Sequence, residues 1–223
     1  DAAWFSNTRQ PMLEGQNTVR GQIALRPLGF ESVPVVNIEN ACASGSSALI
    51  QAMAHLRAGM ADIALVVGAE KMVFPDRPEA MAAAFEGGTD IHDMEATKAF
   101  VRSLGGDADD ESAGKRSIFM DLYAAQARAH MDRFGTTQED FAAVAAKNHT
   151  HARHNPLAQY RDPMSVEEVL ADKPIAFPFT RSMCAPLSDG AAAAVVCNAA
   201  GLARLAEAKP RALTIRASTL RSG

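Results

Sequence analysis

The stretch from Val33 to Gly68 limits the fold more than any other part of the chain. Residues 33–38, VPVVNI, are short, β-branched and largely apolar, which predicts a buried strand with Pro34 at its start or on an edge. Ser44 to Ala58 reads SGSSALIQAMAHLRA and sets Leu49, Ala52, Met53 and Leu56 at offsets of three and four, the stripe of a helix, which Gly59 then stops. Residues 62–67, DIALVV, form a second apolar run that ends at Gly68. Strand, helix and strand within about 35 residues predict a right-handed βαβ unit and hence a parallel sheet.

A chain of 223 residues can enclose a sizeable core, as one large domain or as a domain with a sub-domain. Its 48% hydrophobic and 22% charged residues are those of a globular protein. A net charge of -4 and a pI near 5.9 offer no global attraction for nucleic acid, so that class of partner is set aside. Cys42, Cys184 and Cys197 form no CxxC pair and have no histidine at zinc-ligand spacing, so neither a metal site nor a disulfide framework is expected. Unpaired cysteines fit a reducing compartment. DAAWFSNTRQ has no basic segment leading into an apolar one, and no apolar run reaches spanning length. The expectation is a soluble, cytoplasmic protein with no membrane partner.

Between Val73 and Arg116, PDRPEAM, FEGGTD and LGGDADDESAGKR carry turn residues and charge without sustained periodicity, which reads as a functional excursion or a mobile loop. Helix returns from Ile118 to Phe134, and the next helix is expected to open on a capping box of Thr136 and Glu139. HNPLAQYRDP and ADKPIAFPF form an extended, proline-rich connection. After the turn at Ser188, Asp189 and Gly190, a strand is expected over 192–197, a helix over 201–208 and a strand over 212–218. The sequence carries no internal repeat.

Cys42 sits between the first strand and its helix. Free cysteines are commonly small buried apolar groups, and that is one reading. The other is a nucleophile: the open N–H groups and positive dipole end of the helix favour an anionic sulfur. The small neighbours Ala41, Ala43, Ser44, Gly45, Ser46 and Ser47 let a carbonyl approach, and the Cys42 N–H could face a developing oxyanion. A turn that raises a nucleophile at the carboxyl end of a parallel sheet stands where such sheets bind ligands. On the residues alone the two readings remain level.

NACASGSSAL, ADIALVVGAEKM and LSDGAAAAVV, in that order, resemble the thiolase family. The resemblance runs from about Gly15 to the end. GAEKM, AKNHTHARHNPLAQYRDP and the Met183-Cys184 pair are similar to the sterol-carrier-protein type of thiolase. DLYAAQARAHM departs from the H-M-G-x-T-A-E run of many thiolases, and with it from their usual pantetheine contacts. The resemblance implies a layered α/β/α/β/α thiolase-like fold, of which this chain holds the N-terminal half and the start of the second. It divides the chain into 1–72, the first part of the N-terminal domain with the nucleophile turn; 73–135, an excursion or sub-domain; 136–208, the rest of that domain; and 209–223, the start of the C-terminal domain. The family's opening strand, with its R-T-P-like segment, is expected to be missing.

The implied function is that of an acyl-CoA acyltransferase that cleaves or forms 3-oxoacyl-CoA through a thioester on Cys42. Coenzyme A thioesters are then substrates, and no resident cofactor or metal is implied. The family's catalytic His and second Cys, in G-H-P and C-x-G, do not occur in these 223 residues, and the parent protein is expected to be longer. His55 lies about 20 Å along the helix from Cys42, too far to act as its base. His149, His151 and His154 fall on no single helix face, and His92 and His130 belong to no motif. Cys184 and Cys197 read as packing residues, Lys115 and Arg116 as a solvated charged pair with the coenzyme A phosphates as the alternative, Ser218 as lying near the family's coenzyme A contact without being assigned to it, and Glu70 with Lys71 as unsuited to mutual pairing. Family members dimerise through the sheet edge near the nucleophile strand, so a homodimer or dimer of dimers is expected. The rivals are a β-ketoacyl synthase, against which Gly45 and GAEKM argue, and a non-catalytic thiolase-like subunit that binds lipid or a partner protein.

Overall fold

A computed structural model describes residues 1–106 and 118–221. They form two compact units, Asp1–Ala84 with Leu187–Gly223, and Phe85–Pro186. The first unit contains β1 (Ala2–Ser6), α1 (Gln10–Glu14), α2 (Arg20–Leu25), β2 (Val35–Ile38), α3 (Ser44–Arg57) and β3 (Ile63–Glu70). Next come α4 (Pro78–Glu86), α5 (Met94–Ser103), α6 (Ile118–Phe134), α7 (Gln138–Ala152), α8 (Val166–Ala171), β4 (Pro174–Ala176) and β5 (Phe179–Thr180). The chain returns to the first unit with β6 (Gly190–Cys197) and α9 (Ala199–Arg204).

The sheet of the first unit has the order β2-β1-β3-β6. β1 runs parallel to both neighbours, pairing Ala3 with Val35 on one side and with Leu65 on the other. β6 closes the sheet antiparallel to β3, from Ile63 opposite Cys197 to Glu70 opposite Gly190. The two strands of the expected βαβ unit are thus both parallel but are not neighbours, because β1 lies between them. AAWFS gave no strand signal: it has no β-branched residue, and all five side chains are buried, the unalternating pattern of a central parallel strand.

One face of the sheet is covered by α3. Ala48, Ala52 and Leu56 of the helix pack on Ala2, Trp4, Ala64 and Val66, and the alanines let the helix approach closely. The His55 ring meets the Trp4 ring edge-on at 5.1 Å. Phe5 points to the opposite face, as strand alternation requires. There α2 comes so near that a Cβ on Gly21 would lie 2.6 Å from the Phe5 Cβ.

The end of the first unit differs from expectation. The last sheet strand begins at Gly190, two residues earlier than expected. α9 starts at Ala199 because the Asn198 side chain accepts the Gly201 N–H at 2.8 Å, and it stops at Arg204, before a 3-10 segment, Ala206–Arg211, that contains Pro210. The strand expected over 212–218 is absent: the segment has no ladder, and Leu213 is 93% exposed. Its alternation of apolar and polar residues is not enough by itself, and the segment pairs with neither edge strand of the sheet, β2 or β6.

In the second unit, Ala142, Ala145 and Ala146 of α7 pack on Val169 of α8, and Val101 of α5 packs on Ala125 of α6. The stretch read as irregular holds α4 and α5, the latter capped where Asp93 accepts the Ala96 N–H at 2.9 Å. α7 opens on a capping box one residue later than expected: Thr137 and Asp140, not Thr136 and Glu139, exchange bonds of 2.8 and 3.3 Å. Thr137 has the extended backbone that a capping residue needs. Asp172 accepts from the Ser182 hydroxyl, the Lys173 N–H and Arg181, which hold its carboxyl down at a pKa of about 2. No described helix is long and apolar enough to cross a membrane.

Candidate active site

The three parallel strands deliver their carboxyl ends to one rim of the sheet. Asn7 follows β1, Asn40 and Cys42 follow β2, and Glu70 ends β3. Because β6 is antiparallel, its first residue, Gly190, lies opposite Glu70 at the same rim, with Asp189 just before it.

Cys42 sits in a single 3-10 turn, Ala41–Ala43, that leads directly into α3. It is exposed and not disulfide-bonded, unlike the buried apolar group of the alternative reading. The residue before it, Ala41, has a φ of 45°, a left-handed backbone costing an alanine about 1–2 kcal/mol. Several hydrogen bonds hold this conformation. Ser44, itself buried, accepts the Asn40 N–H at 2.8 Å and donates its hydroxyl to the Ala41 carbonyl at 2.7 Å. The Asn40 side-chain amide donates to the Ser47 hydroxyl at 2.8 Å, and Glu39 accepts the Ala41 N–H at 2.7 Å. Thr8, beyond β1, donates its hydroxyl to the same Glu39 oxygen at 3.1 Å.

The other two family-like segments prove to be scaffolding for this rim. Asp189 accepts the N–H groups of Met72 and Val73 at 2.7 and 2.9 Å, which fastens the residues after GAEK to the S-D-G turn. The Val73 and Met72 amides, with Lys71 nearby, hold the Asp189 carboxyl below the usual aspartate range. Glu70 does not pair with Lys71. Its carboxylate accepts from the backbone N–H groups of Thr8, Arg9 and Gln10, and so closes the start of α1. The Lys71 ammonium lies 5.1 Å from the centre of the Phe74 ring. Sequence reasoning left Glu70 and Asp189 without roles because both act across 60 or more residues of chain.

The remaining sequence candidates lie apart from Cys42 in their contacts. His55 is held against Trp4, His130 meets Thr136 at 3.0 Å, and His149 meets the Ser182 carbonyl at 3.0 Å. Cys184 is half-buried, its thiol donates to the Thr180 carbonyl at 3.4 Å, and burial pushes its pKa up. Cys197 ends β6 and is half-buried. Ser218 lies in the exposed tail, and Lys115 and Arg116 lie outside the described residues. Among the described residues, no three His, Cys, Asp or Glu side chains gather as a metal set.

A groove of about 230 Å³ opens beside the rim, between β1, β2, α1 and the start of α2. Glu39 and Thr8, which reach the Cys42 turn, are in its wall.

Comparison with known proteins bears on this arrangement. Residues 1–200 match the family "Thiolase, N-terminal domain", so the likeness begins at the first residue rather than near Gly15. The chain is 32% identical over 206 residues to benzoylsuccinyl-CoA thiolase subunit BbsB of Thauera aromatica, covering 92% of this chain and 47% of that protein. It is 31% identical over 191 residues to sterol carrier protein 2 of Oryctolagus cuniculus, covering 82% of this chain and 31% of that protein. The chain thus spans about half or less of the length of the curated relatives it matches. A solved structure entitled Ltp2-ChsH2(DUF35) aldolase shares the fold, with a TM-score of 0.61 and 22% identity over 90% of this chain and 45% of that one. With the family matched over most of its length and its three sequence segments gathered at one rim, the chain belongs to the thiolase family and carries that family's N-terminal domain.

Proposed function

We propose that the protein containing this chain is an acyl-CoA acyltransferase whose nucleophile is Cys42. The observation that carries the reading is the position of that sulfur. It is exposed on a strained turn, at the carboxyl end of a parallel strand and the amino end of a 14-residue helix. A turn of this kind presents a thiolate to a thioester carbonyl, and the open amides at the helix start favour the negative charge that develops.

In the forward direction the Cys42 thiolate attacks the 3-keto carbonyl of a 3-oxoacyl-CoA. The bond between C2 and C3 breaks, C3 stays on the sulfur as an acyl thioester, and C2 leaves as the enolate of a shortened acyl-CoA, which takes up a proton. The thiolate of a free coenzyme A then displaces Cys42 from the acyl group. Condensation is the same sequence reversed. A base for the thiol and an acid for the enolate are needed, and neither G-H-P nor C-x-G, which bear them in the family, occurs in these 223 residues. Under this reading those groups come from the rest of the parent protein, of which 209–223 is the first part. The partners are acyl-CoA and coenzyme A. A second copy pairs along the free outer edge of β2, which ends the sheet, to give a homodimer or a dimer of dimers. The relative described as a thiolase subunit supports a multi-chain assembly.

The name of sterol carrier protein 2 favours a second reading, a thiolase-like chain that binds lipid without turning it over. Incubation of the full-length protein with acetoacetyl-CoA, followed by intact-mass measurement, separates the two. An acetyl adduct that is lost in Cys42→Ala supports the acyltransferase. A full-length protein that takes up no acyl group supports the lipid-binding chain.

A further inference from the structure

The two peptide planes that meet at the Ala41 Cα are each held by a side chain. The plane before it runs from the Asn40 carbonyl, which accepts the Ala43 N–H at 2.9 Å, to the Ala41 N–H, which donates to Glu39 Oε1 at 2.7 Å. The plane after it carries the Ala41 carbonyl, which accepts the Ser44 hydroxyl at 2.7 Å, and the N–H of Cys42. Holding both planes fixes the φ of 45° at Ala41, and with it the placement of Cys42 on the turn.

The two clamps are unequal. Ser44 is buried, whereas Glu39 is exposed, and a surface glutamate loses rotamer entropy when it settles on one amide and keeps water as a competitor. Thr8 offsets that disadvantage. Its hydroxyl donates at 3.1 Å to the same oxygen that takes the Ala41 N–H, so Glu39 Oε1 lies between two donors. Thr8 is itself fixed independently of Glu39, because the Glu70 carboxylate at the end of β3 binds its N–H at 2.7 Å. Glu70, Thr8, Glu39 and Ala41 thus form a connected series from the end of β3, past the end of β1, to the nucleophile turn.

We infer that Thr8 is a positioning residue for Cys42 and acts through Glu39: its hydroxyl aims the carboxylate that holds the strained peptide ahead of the sulfur. The inference rests on the proposed acyl transfer only in the second of the two readouts below, since the first measures the presentation of the sulfur without a substrate.

The full-length protein is compared as wild type, Thr8→Val, Thr8→Ser, Glu39→Ala and the double variant Thr8→Val with Glu39→Ala. Valine keeps the β-branched shape and the N–H that Glu70 binds and removes only the hydroxyl, which serine retains. In the first readout, displacement of iodide from iodoacetamide by the Cys42 thiolate is timed by intact mass, with Cys42→Ala giving the background from Cys184 and Cys197. A loosened turn carries the sulfur away from the open amides that favour its thiolate, so Thr8→Val is expected to slow alkylation by about three- to fivefold, the scale of one exposed hydrogen bond. Thr8→Ser should stay within about twofold of wild type, and Thr8→Val should have no further effect in the Glu39→Ala background, where the carboxylate it aims is gone. Each comparison keeps residue 39 the same, so the lost Glu39 charge cancels from it. Equal rates for wild type and Thr8→Val, equal losses in Thr8→Val and Thr8→Ser, or the same loss in both backgrounds overturn the inference.

In the second readout, acylation by acetoacetyl-CoA, the limiting rate of Thr8→Val should fall by about fivefold with the half-saturating concentration unchanged, because positioning acts on the attack and not on substrate binding. A raised half-saturating concentration with an unchanged limiting rate makes Thr8 a substrate contact and overturns the inference. A wild type that shows the expected alkylation pattern but takes up no acyl group removes the proposed acyl transfer and supports the positioning of the sulfur.

Discussion

Glu70 and Gln10 close on each other across the neighbouring ends of β3 and β1. The Glu70 carboxylate accepts the Gln10 N–H at 2.6 Å, and the Gln10 side-chain oxygen accepts the N–H of Lys71 at 3.0 Å. The same carboxylate also takes the N–H groups of Thr8 and Arg9. α1, whose own capping residue Arg9 makes no side-chain cap, is therefore started by a residue 60 positions away.

Removal of that carboxylate should loosen the rim. Glu70→Ala is expected to lower unfolding stability by about 2–3 kcal/mol, the scale for leaving amides without a charged acceptor. Glu70→Gln, which keeps one acceptor oxygen, should lose less than half as much. Urea denaturation of both variants with an unchanged m-value checks this, and equal losses for the two contradict it.

Ser44 holds the strained peptide before Cys42 through both of its hydrogen bonds. Ser44→Ala is expected to cost about 1–3 kcal/mol and to slow acylation of Cys42 by roughly ten- to a hundredfold. Ser46→Ala, which removes only an exposed bond to the Ala43 carbonyl, should change either quantity little. Timed intact-mass measurements with acetoacetyl-CoA compare the two variants.

Asp189 ties its effect to pH. The Val73 and Met72 amides lower its folded pKa below the ordinary 3.8, so its contribution to stability is complete above that value and fades as pH falls through the lower folded one. Asp189→Asn cannot titrate. The stability difference between wild type and variant should therefore be flat from neutral pH down to about 5 and shrink once the pH drops below 3.8. Thermal unfolding across a pH series measures it, and a gap that widens in acid contradicts the assignment.

Gly21 tests the packing of α2 on the sheet. A Cβ there would lie 2.6 Å from the Phe5 Cβ and 2.9 Å from Val35 Cγ1, and both neighbours belong to strands. Gly21→Ala should destabilise the unit by about 1–3 kcal/mol. Gly15→Ala places its Cβ in open space, and its cost should come from the left-handed φ of 82° alone. Denaturant midpoints for the pair separate crowding from strain.

Patterns confined to one element were legible in the sequence. β2, α3 and β3 declare themselves by β-branched runs and a stripe of Leu49, Ala52, Met53 and Leu56, and the Cys42 turn lies where those patterns change. β1 was not legible, since AAWFS is buried on both faces and offers neither alternation nor β-branching. The tail over 212–218 erred in the opposite sense: it alternates like a strand, yet a strand forms only where an edge receives it. The capping box slipped by one residue because two threonines stand together, and backbone geometry selected the second. Glu70 and Asp189 were visible only as parts of a family-like pattern, because their partners are set by the tertiary fold.

The pairing of β6 with β3 has a consequence for biosynthesis. The first unit is interrupted between Ala84 and Leu187. A ribosome making about 5–20 residues per second needs roughly 5–20 s to cross that interval. For that time the nascent chain holds β3 with one edge unsatisfied, the kind of edge that recruits other strands. Its sequence, IALVVGAE, ends in a carboxylate rather than in another apolar residue. The loop, helix and hairpin segments made next must clear the exit tunnel before the alanine-rich strand can arrive. Chaperone demand during synthesis should accordingly peak while the second unit is being translated, and fall once Val195 and Val196 emerge.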